Sequence, residues 1–269
     1  VARPIGRRVM STVLEARGLS KRFGGVLAVD AVDFALVPGE MLALIGPNGA
    51  GKSTCFNMLT GQHRPDAGVI RLFGRDITGL PPRRIWRLGV GRTFQITATF
   101  ASMTVIENVQ VALTSHHRRL GALWPRADRL YAGPARDLLA LVGMASLAGR
   151  ACGLLAYGDL KRLELAVALA NDPGVLLMDE PTAGMAPRER AALMDLTARI
   201  VTERGLSVLF TEHDMDVVFG HADRVLVLDR GRLVAEGPPA TVRADARVRA
   251  IYLGEGPHPA ASSPPEAHR

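Results

Sequence analysis

The 269-residue sequence predicts an α/β fold with a β-rich first part and an inserted block of helices in the middle. Three observations predict it. Short apolar runs of strand length stand at Met41–Ile45, 175–178 and Ser207–Thr211. The first two are each followed by a turn and a helix-compatible segment. Between them, residues 104–170 carry longer segments that suit helices rather than strands.

In chain order, residues 1–12 are polar and basic without periodicity and are expected to be disordered. Residues 13–36 contain short β-like stretches that end at Pro38-Gly39. Met41–Ile45 is the signature of a buried strand. A Gly-rich turn and a helix over Lys52–Leu59 follow it, with Gly61 placed to end that helix. Helices are expected over 104–114, 135–142 and 160–170, the last stopped by Asn171-Asp172-Pro173. A strand over 175–178 then precedes a helix opened by Pro187, whose Leu193, Leu196, Ile200 and Val201 share one face. After the strand Ser207–Thr211, residues 225–228 and 233–235 read as a hairpin around Asp229-Arg230-Gly231-Arg232. The stretch 255–269, rich in Pro, Ala and Ser, is expected to be a disordered tail.

Composition narrows the function. The apolar stretches fall far short of the roughly 18 residues that a membrane span needs. No apolar run follows the N-terminal arginines as in a secretory signal. Two cysteines, Cys55 and Cys152, leave no disulfide framework and suit a reducing cytosol. Lys and Arg total 33 against 26 acidic residues, a net charge of +7. That basic balance invites a nucleic-acid reading, but the arginines are scattered and aromatic residues reach only 5%. A nucleic-acid partner is therefore not expected.

The chemistry is concentrated in three places. Gly46-Pro47-Asn48-Gly49-Ala50-Gly51-Lys52-Ser53-Thr54 fits the phosphate-loop pattern G-x-x-x-x-G-K-[ST], after a strand and at the start of a helix. Only about 0.003 such matches are expected by chance in a chain of this composition. Backbone N–H groups freed by the glycines and the helix N-terminus suit phosphate oxygens. Lys52 would reach the β- and γ-phosphates and the Ser53 hydroxyl would bind Mg²⁺. The strand at 175–178 runs into Asp179 and Glu180, one suited to the Mg²⁺ shell and the other to polarising a water. Taken alone, it could equally be a buried strand capped by two solvated acids. His213 stands just past Ser207–Thr211, at the strand edge where ligands of parallel sheets bind.

Together these residues resemble the ATPase subunit of an ABC transporter. Arg92-Thr93-Phe94-Gln95 resembles that family's Q-loop, and Leu155-Ala156-Tyr157-Gly158-Asp159 stands where its signature motif belongs, 20 residues before the Asp179 strand begins. Within the family the chain is similar to the LivG-type subunits of branched-chain amino acid importers. Phe23-Gly24-Gly25, Gly74-Arg75-Asp76-Ile77-Thr78-Gly79-Leu80-Pro81, Thr211-Glu212-His213-Asp214-Met215 and Tyr252-Leu253-Gly254-Glu255 carry that closer likeness. The resemblance implies a P-loop NTPase core over 13–254, with an N-terminal antiparallel β part and an α-helical subdomain inserted at about 96–170. It implies ATP and Mg²⁺ as ligands. Phe23 would stack on adenine; Gly46, Asn48, Gly49, Gly51, Lys52, Ser53 and Thr54 would bind the phosphates. Glu180, His213, Gln95 and Lys52 would be catalytic, with Ser53, Gln95 and Asp179 around the metal. Ala156 and Gly158 would serve the nucleotide of a second ATPase subunit, in a heterodimer or a homodimer. Two transmembrane permease subunits and, indirectly, a solute-binding protein complete the implied assembly, which places the chain peripherally at the cytoplasmic face of the membrane. An ATPase for another solute, such as urea or other amino acids, and a soluble P-loop ATPase acting on nucleic acid are the alternatives.

Two departures from the pattern stand out. Asp159 replaces an expected glutamine, and Ala186, in Ala183-Gly184-Met185-Ala186-Pro187, replaces Asp or Asn. Both belong to segments expected to reach into the opposite subunit's site.

Overall fold

The computed structural model describes residues 12–93, 99–116 and 130–253. Gln95, the tail 255–269 and all but Thr12 of the expected disordered N-terminus lie outside the described residues.

Two sheets organise the molecule. A four-stranded antiparallel sheet has the order β2-β1-β4-β5, built from β1 (Leu14–Phe23), β2 (Val26–Leu36), β4 (Ala67–Leu72) and β5 (Arg75–Asp76). A six-stranded sheet has the order β10-β9-β3-β8-β7-β6: β10 (Arg232–Gly237), β9 (Arg224–Asp229), β3 (Met41–Ile45), β8 (Ser207–Thr211), β7 (Val175–Asp179) and β6 (Val90–Thr93). Strands β9 to β6 pair in parallel, and β10 closes one edge as the antiparallel arm of a hairpin.

The central strands are apolar throughout because both faces of the sheet are covered. Side chains alternate between two layers along each strand. Leu42 and Leu44, Val175 and Leu177, Leu209, and Leu226 pack with Phe56 and the antiparallel sheet. Ala43 and Ile45, Leu176 and Met178, Phe210, and Val227 pack on the other side with Val109, Leu165, Leu193 and Ile200. A one-residue slip in any of these strands would exchange its layers, so the register is firmly specified.

The helices are α1 (Lys52–Leu59), α2 (Pro82–Arg87), α3 (Val105–His116), α4 (Ala132–Leu141), α5 (Tyr157–Ala168), α6 (Pro187–Arg204), α7 (Met215–His221), α8 (Pro239–Ala244) and α9 (Ala246–Leu253). In α6, Leu193, Leu196, Ile200 and Val201 are buried as their spacing requires, and Gly205, at φ 65°, caps the C-terminus in the left-handed conformation. Three helices differ from the expected limits: α3 covers Val105–His116 rather than 104–114, and α4 and α5 start earlier than expected. α4 opens at Ala132, not at 135, because Pro134 falls in its first turn, where a missing N–H costs nothing. α5 opens at Tyr157, not at 160, and ends at Ala168. Gly158 and Asp159 are therefore first-turn residues, and the aspartate is tolerated there by the helix dipole.

Candidate functional site

The phosphate loop joins β3 to α1 at the carboxyl edge of the parallel sheet. Two of its glycines, Gly46 and Gly51, are required by contact with neighbouring strands. A Cβ on Gly46 would stand 2.2 Å from the Leu228 carbonyl oxygen at the end of β9. Gly51 has φ +105°, and a Cβ there would stand 2.4 Å from the Ala28 carbonyl oxygen of β2. Asn48 and Gly49 are exposed at the loop tip, and Ser53 is exposed in the first turn of α1. Lys52 is folded into the loop: Nζ donates to the carbonyls of Gly46 at 2.7 Å and Pro47 at 3.1 Å. Burial holds the pKa of the Lys52 amine below its ordinary value, and the nearby Glu180 and Asp179 carboxylates offset only part of that shift. The loop lysine thus lies within the field of both acids.

The acids stand at the end of β7, one strand removed from β3. Asp179 Oδ1 accepts a hydrogen bond from Thr211 Oγ1 at 2.8 Å, and Arg92 Nη2 lies 3.5 Å from Oδ2. Glu180 has φ +48°, a left-handed conformation that costs a side-chain-bearing residue about 1–3 kcal/mol. Its N–H is held by Thr211 Oγ1 at 3.0 Å and the Thr211 carbonyl at 3.2 Å. That turn aims the carboxylate at residues 212–214 just after β8, the switch segment, where Glu180 Oε1 lies 2.9 Å from His213 Nε2. His213 is open to solvent and Glu180 partly so, so a ligand and a water can reach both from the solvent side.

Residues around His213 tie this edge to the turn after Glu180. Glu212 is buried, and its Oε1 accepts from Thr182 N at 2.8 Å and Thr182 Oγ1 at 2.6 Å. Asp214 caps α7 and pairs with Arg190 at 2.5 Å, while Arg190 Nε donates to the Met185 carbonyl at 2.7 Å. Glu212, Arg190 and Thr211 were not readable as site residues, because their partners are some 25 to 30 positions away.

The remaining expected residues lie apart. Phe23 is exposed at the β1–β2 hairpin, with its ring edge-on to His63 at 5.3 Å and Lys21 Nζ 5.6 Å from its centroid. His63, from the loop after α1, is a neighbour that sequence spacing does not reveal. Ala156 is the extended N-cap of α5, with Gly158 in the first turn. Among the described residues no hydrogen bond or ion pair links 154–160 to this chain's own phosphate loop. Instead Tyr157 Oη donates to the Ala183 carbonyl at 3.0 Å, joining the signature-like segment to the turn before α6.

The donors suit Mg²⁺. Among the described residues no group of three His, Cys, Asp or Glu is gathered as a closed metal cage. An open serine hydroxyl and one carboxylate beside a phosphate loop match a hard cation that keeps waters and shares phosphate oxygens.

Comparison with known proteins agrees with this geometry. The family model described as ABC transporter matches residues 29–183, and one described as branched-chain amino acid ATP-binding cassette transporter matches residues 232–258. The chain is 42% identical over 253 residues to the high-affinity branched-chain amino acid transport ATP-binding protein LivG of Escherichia coli, covering 90% of this chain and 98% of the relative. It is 40% identical over the same length and shares to BraF of Pseudomonas aeruginosa, a protein of the same description. Among solved structures, a nucleotide-free ATP-binding cassette from an ABC transporter superposes with a TM-score of 0.81 at 30% identity, covering 91% of this chain and 100% of that one. An ADP conformation of such a cassette gives the same score and identity, covering 91% and 99%. With relatives this similar along most of its length, the chain belongs to the ATP-binding subunits of ABC transporters.

Proposed function

We propose that this chain hydrolyses ATP to drive an importer of branched-chain amino acids, bound peripherally at the cytoplasmic face of the membrane. The solute class rests on the descriptions of its relatives at 40% and 42% identity. No helix among the described residues is long and apolar enough to cross a membrane, so the solute path belongs to transmembrane permease subunits. A solute-binding protein acts on the chain only through them.

The observation that carries the catalytic reading is the Glu180–His213 pair at 2.9 Å, on the sheet edge that also holds Lys52 and Asp179. Loop amides and Lys52 bind the β- and γ-phosphates, and Phe23 stacks on adenine. Ser53 and Asp179, with Gln95, hold Mg²⁺, which when bound neutralises charge on the phosphate oxygens. Glu180 accepts a hydrogen bond from the attacking water and orients it in line with the γ-phosphorus. His213 fixes the Glu180 carboxylate and contacts the γ-phosphate.

The site is completed by a second subunit. Ala156 and Gly158 are presented outward and serve the partner's nucleotide, as the partner's equivalent segment serves this one. Asp159 and Ala186 both fall on these outward segments, whereas Lys52, Ser53, Asp179, Glu180 and His213 fit the pattern. This favours a heterodimer with unequal sites, the weaker being the one to which this chain lends its signature.

The test is Mg²⁺-dependent ATP hydrolysis by the purified chain beside Glu180→Gln, with binding of a fluorescent ATP analogue measured for both. Turnover by the unaltered chain and binding without turnover by the variant support the assignment; absence of binding in both overturns it. Reconstitution with the permease and a leucine-loaded binding protein tests the solute, and stimulation only by an unrelated solute overturns that part.

A further inference from the structure

Arg92 links helix α1 to two neighbouring strands of the parallel sheet, β6 and β7. It projects from β6, the edge strand of the parallel sheet. Nη1 donates to Thr60 Oγ1 at 2.8 Å, and Nη2 donates to Asn57 Oδ1 at 3.2 Å while lying 3.5 Å from Asp179 Oδ2. The Arg92 and Asp179 side chains are each only 13% exposed. A forked guanidinium in this setting is a directional clamp, because its donors are fixed in one plane. Thr211 Oγ1 holds the other Asp179 oxygen, so both ends of the carboxylate are oriented.

The far ends of the clamp explain its use. Asn57 lies four residues, about one turn, along α1 from Ser53. In the sheet, β3, which leads into α1, is separated from β7 by β8. The hydroxyl and the carboxylate proposed for Mg²⁺ therefore stand on α1 and β7, which share no backbone pairing of their own, and Arg92 supplies side-chain contacts to both. We infer that Arg92 is a positioning residue that holds Asp179 in register with α1 and so sets the geometry of the Mg²⁺ site. This rests on Mg²⁺ being the metal. Charge alone predicts the opposite effect: a cation beside Asp179 repels Mg²⁺, so removing it would tighten metal binding. Geometry and charge thus differ in sign.

Arg92 also borders a groove of about 410 Å³ lined by Trp86, Val111 and Val167, so water can fill the space left by a shorter side chain. The full chain would be compared with Arg92→Met, Arg92→Lys and Asn57→Ala, recording fluorescent ATP analogue binding in EDTA and across a Mg²⁺ titration. Outer partners of metal ligands change metal affinity by about 10–100-fold. Arg92→Met is expected to raise half-saturating Mg²⁺ by about that factor with binding in EDTA unchanged. Arg92→Lys should behave nearly as badly, since one ammonium cannot span three acceptors. Asn57→Ala, which removes one arm, should give a smaller rise in the same direction, and it carries the test if melting shows that the Arg92 variants do not fold. Half-saturation that is unchanged or lower in Arg92→Met, or fully restored by Arg92→Lys, overturns the inference. Binding by the unaltered chain that ignores Mg²⁺ overturns the metal reading first, and this inference with it.

Discussion

The edge built from β7, β8 and the switch segment differs sharply from the signature-like turn and the turn before α6. In the first, each charged or polar group is braced by another from the same chain: Asp179 by Thr211 and Arg92, Glu180 by Thr211 and His213, and Thr182 by Glu212. In the second, Leu154 is 67% exposed and Tyr157 43%, and neither Ala156 nor Ala186 supplies a side-chain cap to the helix it precedes. Groups proposed to act within one chain are fixed by that chain, whereas groups proposed to serve a partner are left open. Substitution is correspondingly cheap in the second region, where Asp159 and Ala186 occur, and costly in the first.

The sharpest way to break this contrast is Glu180→Gln. Removing the carboxylate while keeping its shape is expected to slow hydrolysis by about 10²–10⁴-fold and leave analogue binding intact, as measured by steady-state turnover and fluorescence titration. A comparable loss from Ala156→Ser would erase the distinction between braced and offered groups. Next in size is Glu212→Ala. It strips the acceptor from the Thr182 N–H and hydroxyl in a buried setting, where each orphaned donor costs about 1–3 kcal/mol. Urea melts should show that loss, together with slower hydrolysis, because the Glu180 turn is anchored beside it.

Much of this braced region was legible in the sequence, for specific reasons. Met41–Ile45, Lys52–Leu59 and Ser207–Thr211 were readable to the residue because uninterrupted apolar runs and the loop pattern define them. Lys52, Asp179, Glu180 and His213 follow from position at strand ends, and the structure brings them to one edge. The short strands β4 to β6 and the helices α2, α7, α8 and α9 give weak periodicity over eight residues or fewer and were not foreseen. The bracing itself was invisible. Thr211, Glu212, Arg92 and Arg190 act on residues that only the sheet order makes neighbours. The left-handed turn at Glu180 has no signal either, because glutamate is a poor fit to that conformation and is held there by Thr211.

The offered region should be improvable where the braced one is not. Glu189 accepts the Ala186 N–H at 3.2 Å, which is one half of a capping box, but alanine supplies no acceptor for the other half. Ala186→Asn restores it and should stabilise the chain by about 1 kcal/mol in thermal or urea melts. Combined with Asp159→Gln, it should also raise hydrolysis in the assembled transporter. A gain in stability with no change in assembled activity would mean that the departures are tolerated and the two sites equal.

The smallest effect expected lies on the seam between the two regions, at Arg190–Asp214. Burial raises the Asp214 carboxyl, but the Arg190 guanidinium and the N–H groups of Val217 and Asp216 outweigh it and hold the group below the ordinary 3.8 of an aspartate. A carboxyl depressed by folding adds stability that is complete above its unfolded value and is lost as pH falls through its folded value. The contribution is therefore full at neutral pH and is lost progressively as the pH falls below about 4. Both side chains are about 30% exposed, so solvent screening limits the pair to roughly 1 kcal/mol or less. Arg190→Met should lower the melting temperature at pH 7, and the gap from the unaltered chain should narrow as the pH approaches 3. The part that survives in acid is the bond from Arg190 to the Met185 carbonyl, which does not titrate. A gap independent of pH would assign the whole effect to that bond, and the switch segment would then be tied to the outward turn by Glu212 and Arg190 acting on backbone and hydroxyl groups, without help from the Asp214 charge.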